Sequence, residues 1–229
     1  MTTSGTISST LIASEVVLAA MTDLGVLSAG ENPTGEETEL GLRTLNFMLK
    51  SWQGRGVTSW RDTEGSVAFT AGTAKMVLTP YCLDVTEARL IQASNYERPL
   101  QRWELAQYRQ IPNKATPGYP TAYTVSKLDT SISLTLWPVP NATMTILYSY
   151  PRIIEDVTDG AQTIDVPQEW LETVYYGLAS RLVSAFGVSR IDPAAAQRVD
   201  QRAASLEQIL LDSDRPASVY MGSSMGRLF

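Results

Sequence analysis

The sequence has no histidine, and Cys82 is the single cysteine among its 229 residues. Without histidine there is no Ser-His-Asp or Cys-His catalytic apparatus and no His-ligated zinc site. A single cysteine forms no intrachain disulfide, which is typical of a protein from a reducing compartment. Neither a phosphate-binding glycine loop nor a GxSxG nucleophile motif is present. We therefore predict that the chain is not an enzyme, has no catalytic residues, and holds neither a metal nor a cofactor.

Charge is also scarce, at 18% of residues, with a net charge of −6 and a pI near 4.8. Low charge indicates that much of the surface faces neighbouring molecules. An acidic protein gains little from counterion release, so we expect weak, non-specific contact with double-stranded DNA. No apolar run approaches the roughly 20 residues of a membrane span, and the N-terminus lacks a signal-peptide pattern. We expect a protein that is soluble and intracellular when made, with no membrane partner.

What the sequence does contain is a block of alternating apolar and polar residues between two helical regions. Residues 119–151 are rich in Val, Ile, Thr and Tyr at period-2 spacing, which is typical of half-buried strands. The predicted strands are 66–70, 75–79, 88–95, 121–127, 132–137 and 143–150, and a short helix is predicted at 103–109. Because the connections are short, we expect antiparallel pairing.

Four amphipathic helices flank this block. The first is predicted at 10–24, and the second follows a capping box formed by Thr34 and Glu37. The later two begin at Asp165-Val166-Pro167 and Asp192-Pro193, which are helix-start signals. The apolar stripe of the third helix is Trp170, Leu171, Val174, Leu178, Leu182 and Phe186, and that of the fourth is Ala196, Val199, Ala203, Leu206 and Leu210.

These patterns predict an α+β fold, in which an antiparallel four-helix bundle is interrupted by an inserted antiparallel β domain and followed by an extended C-terminal tail. The predicted segments are an N-terminal helical hairpin (1–58), the β domain (59–152), a C-terminal helical hairpin (153–211) and the tail (212–229).

The tail lacks helical periodicity but keeps six large apolar side chains, and a solvated tail would be polar. We predict that it orders on a partner protein or on a neighbouring subunit. Its folding back onto its own helices remains an alternative. The predicted interface residues are Val219, Tyr220, Met221, Met225, Leu228 and Phe229.

Two further groups of residues have competing interpretations. The acidic residues Asp156, Asp159 and Asp165 suit cation binding, but Asp also favours turns and caps, which is the interpretation we prefer. Basic residues in the β block are interleaved with aromatic ones, a combination found in single-strand binding sites and in protein interfaces. We favour a protein interface for this set, which comprises Arg98, Arg102, Arg109, Lys114, Lys127, Tyr96, Trp103 and Tyr108.

The order and spacing of several short motifs resemble the head-to-tail adaptor family of tailed bacteriophages, especially the tail-tubular or packaged-DNA-stabilising adaptors of short-tailed phages. The motifs are Leu45–Trp52 followed by Gly54-Arg55-Gly56-Val57, Pro117–Pro120 before a strand, Leu136–Pro140 before a strand that ends Tyr148-Ser149-Tyr150, and Val166–Trp170 opening a helix that closes on Phe186-Gly187. Together they cover residues 10–211.

The resemblance implies a structural virion protein at the head-tail junction, made in the host cytoplasm. It implies a homo-oligomeric ring, typically of twelve copies, that docks beneath the portal protein. The ring extends the channel for double-stranded DNA, helps to retain packaged DNA and receives a tail nozzle or another tail protein. The portal or a neighbouring subunit is then the partner expected for the C-terminal tail. The alternatives are a carbohydrate or host-surface binding module carried by the β domain, and a head-completion or tail-terminator protein of another fold.

Overall fold

A computed structural model describes residues 11–28, 30–57, 60–78, 82–91, 96–128, 131–187 and 191–213. The chain divides into two compact units, one formed by Met1–Val57 with Asp156–Phe229 and the other by Thr58–Glu155. The fold is mixed, with five helices and several small sheets in the described part of the chain. The division of the chain into the four segments given above remains a prediction.

Three of the four helices of the first unit begin close to where the sequence signals predict. The four are α1 (Ala13–Asp23), α2 (Gly35–Gly54), α4 (Leu171–Phe186) and α5 (Pro193–Ser213), while α3 (Leu105–Arg109) belongs to the second unit. Helix α4 is the exception, since it begins only after a 3-10 turn (Gln168–Trp170) whose N-cap is Pro167 and not the predicted Asp165.

The capping box before α2 is confirmed: the backbone N–H of Glu37 donates to Thr34 Oγ1 (3.3 Å), and that of Thr34 donates to the Glu37 carboxylate (3.0 Å). The Asp192 carboxylate likewise accepts from the Ala194 N–H (3.0 Å) and caps α5.

Helix α4 is the centre of this unit, because α1, α2 and α5 all pack against it. Leu178 and Leu182 of α4 are fully buried, and the Trp52 and Trp170 rings meet edge to face at 5.3 Å. Gly177 allows α2 to lie close to α4, since a Cβ at this position would lie 2.9 Å from the sulfur of Met48.

The predicted antiparallel four-helix bundle is wrong. The four helices are unequal, at 11, 20, 16 and 21 residues, and they cluster around α4 instead of closing a common core. The buried face of α5 consists of the small residues Ala195, Val199 and Ala203. That narrow stripe covers one neighbour, whereas a bundle helix needs an apolar face broad enough to share with two.

The second unit contains ten short strands in its described residues. They are β1 (Asp62–Phe69), β2 (Lys75–Val77), β3 (Glu87–Ile91), β4 (Glu97–Pro99), β5 (Gln101–Arg102), β6 (Pro117–Gly118), β7 (Ala122–Lys127), β8 (Ile132–Trp137), β9 (Val139–Pro140) and β10 (Met144–Pro151). One sheet has the order β1-β10-β3-β4, a second has β2-β8-β7-β5, and β6 pairs with β9.

The expectation of purely antiparallel pairing is wrong for two short pairs, β5 with β7 and β6 with β9, which are parallel. In each case the chain between the two strands is long: α3 and its flanking loops separate β5 from β7, and the β7–β8 hairpin separates β6 from β9. Connections of that length permit parallel pairing, which a tight hairpin does not.

A single apolar cluster joins residues from both four-stranded sheets, including Phe69 and Ile146 from one and Tyr123 and Leu134 from the other. The two sheets therefore pack face to face around this core. The alternation predicted for 143–150 is visible in β10, where Ile146 is buried and its neighbours Thr145 and Leu147 are half-buried.

Candidate interaction surface

The predicted interface residues, Val219, Tyr220, Met221, Met225, Leu228 and Phe229, all lie outside the described residues. What the structure does describe is the helix that leads into them, α5, which ends at Ser213. Helix α5 and the helices that pack against it are therefore the part of this site that the structure describes.

The last turns of α5 expose apolar side chains. Leu206, Leu210 and Leu211 are half-buried, and Ile209 is 61% exposed. Leu206 and Leu210 belong to the predicted apolar stripe, but the buried part of α5 stops at Ala203. An apolar surface thus begins before the C-terminal segment and runs toward it. Sequence periodicity did not reveal this, because it orients a face without showing whether a neighbour covers it.

Glu207 holds this end of α5 on α2. One carboxylate oxygen accepts from the indole N–H of Trp52 (2.7 Å) and from the guanidinium of Arg55 (2.6 Å). Burial lowers the pKa of the nearby Arg181, while the negative charge of Glu207 opposes that shift and the positive charge of Arg55 adds to it. The carboxylate therefore accepts hydrogen bonds from a buried indole and from Arg55, and its charge lies near that of Arg181.

A cleft of about 210 Å³ lies among α2, α4 and α5 beside this contact. Its walls carry Arg181 as well as Asp200 and Glu207, and the Ser180 hydroxyl donates to Asp200 at 2.6 Å. Charges of both signs thus line the cleft. The hydrogen bond from Ser180 to Asp200 joins α4 to α5 there and helps to fix the angle between the two helices.

Helix α2 presents a second exposed apolar side chain, Phe47, which is 68% exposed. It lies on a charged face together with Arg43, which pairs with Glu39 at 2.9 Å. The helical spacing of Leu42, Leu45, Leu49 and Trp52 predicts the core face of α2; the last three are buried and Leu42 is half-buried.

The acidic residues considered as a cation site have local partners. Asp156 pairs with Lys50 of α2 (2.9 Å), and the Asp159 carboxylate accepts from the Ala161 N–H (3.0 Å) in a turn. Within the described ranges, no three His, Cys, Asp or Glu side chains come together as a group of metal ligands. Asp156 thus forms an ion pair with a distant helix, and Asp159 stabilises a turn.

The basic residues of the β unit are used in its own structure. Arg102 and Lys127 both pair with Asp84, each at 3.1 Å. Burial opposes ionisation of Asp84, but hydrogen bonds from Lys127, the Val85 N–H and Arg102 outweigh it and lower the pKa of the carboxyl group. These two cations are therefore partly neutralised by a structural carboxylate.

The aromatic residues of the same set fall into separate places. The Trp103 and Trp137 rings lie 5.3 Å apart, and the Lys114 ammonium lies 5.8 Å from the Tyr108 ring while donating to backbone carbonyls. Tyr96 is 66% exposed and precedes β4, which is in the other four-stranded sheet. Tyr96 therefore lies next to a different sheet from the one that contains Arg102 and Lys127 of the same predicted set.

None of the described helices combines the length and the apolar character that a membrane span requires.

Comparison with known proteins gives one family match. The profile described as SU10 adaptor protein matches residues 13–224. A solved structure titled "Neck of empty GTA particle computed with C6 symmetry" is similar at 16% identity over 75% of this chain and 80% of that chain, with a TM-score of 0.25. A likeness of that size carries no argument about fold or assembly. No curated protein matches.

Proposed function

Since the family match runs through both structural units, this chain belongs to the SU10 adaptor protein family, and we propose that it is the head-to-tail adaptor of a bacteriophage-like particle. In this role it docks as a ring beneath the portal, extends the DNA channel, helps to retain packaged DNA and provides the attachment site for the tail. The single observation that carries the proposal is the match over residues 13–224.

The mechanism is geometric. Copies meet through heterologous contacts that close into a ring, and the ring continues the portal channel. Membership in an adaptor family supports a structural role, in which side chains bind neighbouring proteins and perform no chemistry. The chain would be made in the host cytoplasm and end in the virion at the head-tail junction.

The channel must pass DNA without holding it. Each phosphate that a protein neutralises adds a salt-dependent attraction, so a lumen with few free cations favours transit. The net charge of −6 and the pairing of Arg102 and Lys127 with Asp84 both support weak contact with the duplex.

The C-terminal segment is the proposed latch on the portal. Ordering it costs about 1–2 kcal/mol per residue in backbone entropy. Burial of Tyr220, Leu228 and Phe229 would offset part of that cost, at about 1.5–3 kcal/mol each. Burial of Val219, Met221 and Met225 would add to this gain. The exposed apolar end of α5 supports this assignment, since it extends the apolar surface up to the start of the segment.

Mass measurement tests the proposal. We expect the purified chain to be mainly monomeric at micromolar concentration and to form a ring when it is mixed with the portal protein of the same particle. The polar N-terminal residues and the modest hydrophobicity support a surface that needs a template. Failure of the mixture to form a complex would overturn the adaptor role. Closed rings of the pure chain would instead reject the templated order of assembly.

A further inference from the structure

Helix α5 carries an exposed stripe, of which Arg202 contacts its own unit through Glu172 and the Tyr176 ring of α4. Arg198, Arg202 and Ile209 are all exposed. Their spacing of about one and about two turns puts them on one side of the helix. Glu207, which binds Trp52 and Arg55, is two residues from Ile209 and therefore points about 200° away from it. The side of α5 that faces its own α2 is thus not the side that carries Ile209.

Helix α2 carries a stripe of the opposite charge. Glu36 and Phe47 are exposed and lie about three turns apart on one side, with Glu39 exposed nearby. Trp52, which is buried in the core of the unit, points about 140° away from Phe47. This stripe is therefore also directed away from the packed interior.

The two stripes match in spacing and in charge. The distance from Glu36 to Phe47 equals that from Arg198 to Ile209, about 16 Å along a helix. When the two helices run parallel with Phe47 beside Ile209, Glu36 lies beside Arg198. In the same register Arg43 lies directly opposite the uncharged Ser205, and Arg202 is one turn away from that position.

We propose that the Phe47 stripe of α2 on one copy docks against the Ile209 stripe of α5 on the next copy. The inference rests on the proposed ring, for which it names the subunit contact. Because the two surfaces differ, the contact is heterologous, and repeating it produces a ring or a filament instead of a closed dimer. The occupant of each stripe is thus a second copy of this chain.

The existing ion pairs do not prevent this exchange. Arg43–Glu39 and Arg202–Glu172 are pairs within one chain, and all four side chains are more than half exposed. Exposed pairs of this kind contribute little, so Glu39 and Arg202 can take new partners across the contact at small cost.

Cysteine cross-linking tests the register. In a chain carrying both Phe47→Cys and Ile209→Cys, oxidation with diamide should give a ladder of dimers, trimers and higher species. A mixture of the two single variants should stop at the dimer. The wild-type chain is the blank, because burial of Cys82 raises its thiol pKa to about 11. The matched control pairs Phe47→Cys with Gln208→Cys, which lies about 100° around the helix from Ile209.

Charge reversal tests the complementarity. In the double-cysteine chain, Glu36→Arg should lower the cross-linked yield about tenfold or more, because it sets a second guanidinium beside Arg198. Adding Arg198→Glu should restore the yield. Both positions are exposed, so circular dichroism should show an unchanged fold. A ladder no stronger than the Gln208 control, or one that ignores the charge reversal, overturns the proposed contact.

The same variants on the portal separate this inference from the proposed function. If the double-cysteine chain forms a ring on the portal, but the thiol introduced at position 47 of one copy does not cross-link to the thiol introduced at position 209 of the next, the contact is overturned and the adaptor role stands. If the ladder forms in solution and the portal binds no chain, the contact stands as an interface between copies and the adaptor role falls.

Discussion

The indole N–H of Trp52 donates a 2.7 Å hydrogen bond to the carboxylate of Glu207, a residue 155 positions later in the chain. The contact joins the end of α2 to the last turns of α5, beyond the point where the buried stripe of α5 stops. It therefore adds a contact with α2 near the end of a helix that otherwise packs against α4.

The first prediction concerns this anchor. Glu207→Ala should lower the free energy of unfolding by about 1–3 kcal/mol, because it leaves the Trp52 N–H without its acceptor and removes the partner of Arg55. Glu207→Gln keeps an acceptor for the indole and should cost less, since Arg55 is half exposed.

Urea unfolding measures both changes. The matched control is Glu172→Ala, which removes the exposed partner of Arg202 and should cost under about 1 kcal/mol. An Ala variant at 207 that is no less stable than this control would show that the contact does not anchor α5.

A second prediction addresses the helical core. Leu178 is fully buried against neighbouring helices, and replacing it by Ala should cost about 2–5 kcal/mol. Ile209→Ala removes an exposed apolar side chain and should change the stability of the monomer by under about 0.5 kcal/mol. Thermal and urea unfolding of both variants give the comparison, and a loss below about 1 kcal/mol at Leu178 would contradict its place in the core.

The third prediction is a pH dependence in the β unit. Its folded structure lowers the pKa of Asp84, so this carboxylate stabilises the fold above its unfolded pKa of about 3.9. The contribution is lost as the pH falls through the lower, folded pKa. Asp84→Asn should therefore be less stable than wild type near neutral pH, and the difference should shrink in acid below about pH 3.9. Unfolding free energies measured across that range would refute the assignment if the difference stayed constant.

The fourth prediction concerns the C-terminal segment. Truncation after Asp212 should leave the thermal midpoint of the monomer nearly unchanged and abolish docking on the portal. A full-length variant with Tyr220, Leu228 and Phe229 changed to Ser is the matched control, since it keeps the chain length and removes the apolar groups. It should also fail to dock. If the truncated chain binds the portal with unchanged affinity, the latch is elsewhere and the helical faces carry the interface.

Local signals in the sequence located most of the elements. The Thr34–Glu37 capping box, the Asp192 cap and the period-2 alternation of β10 appear as predicted, because each depends on residues a few positions apart. Strands β7 and β8 form where predicted, but runs of consecutive residues in them are buried, so the half-buried alternation expected there is wrong. The order of the short motifs also indicated the adaptor family, which the match over residues 13–224 confirms.

Local sequence signals could not predict how the helices pack together or which of their surfaces stay exposed. An apolar stripe shows that a helix has a buried face, but not which helix covers it or where the cover ends. The sequence therefore determined the helices, six of the ten described strands and the family. Only the tertiary structure decided that α4 is central, that Leu206 and Leu210 are incompletely covered, that β5 and β7 run parallel, and that Glu207 meets Trp52. Each of these depends on a partner far away in the chain, which local periodicity does not encode.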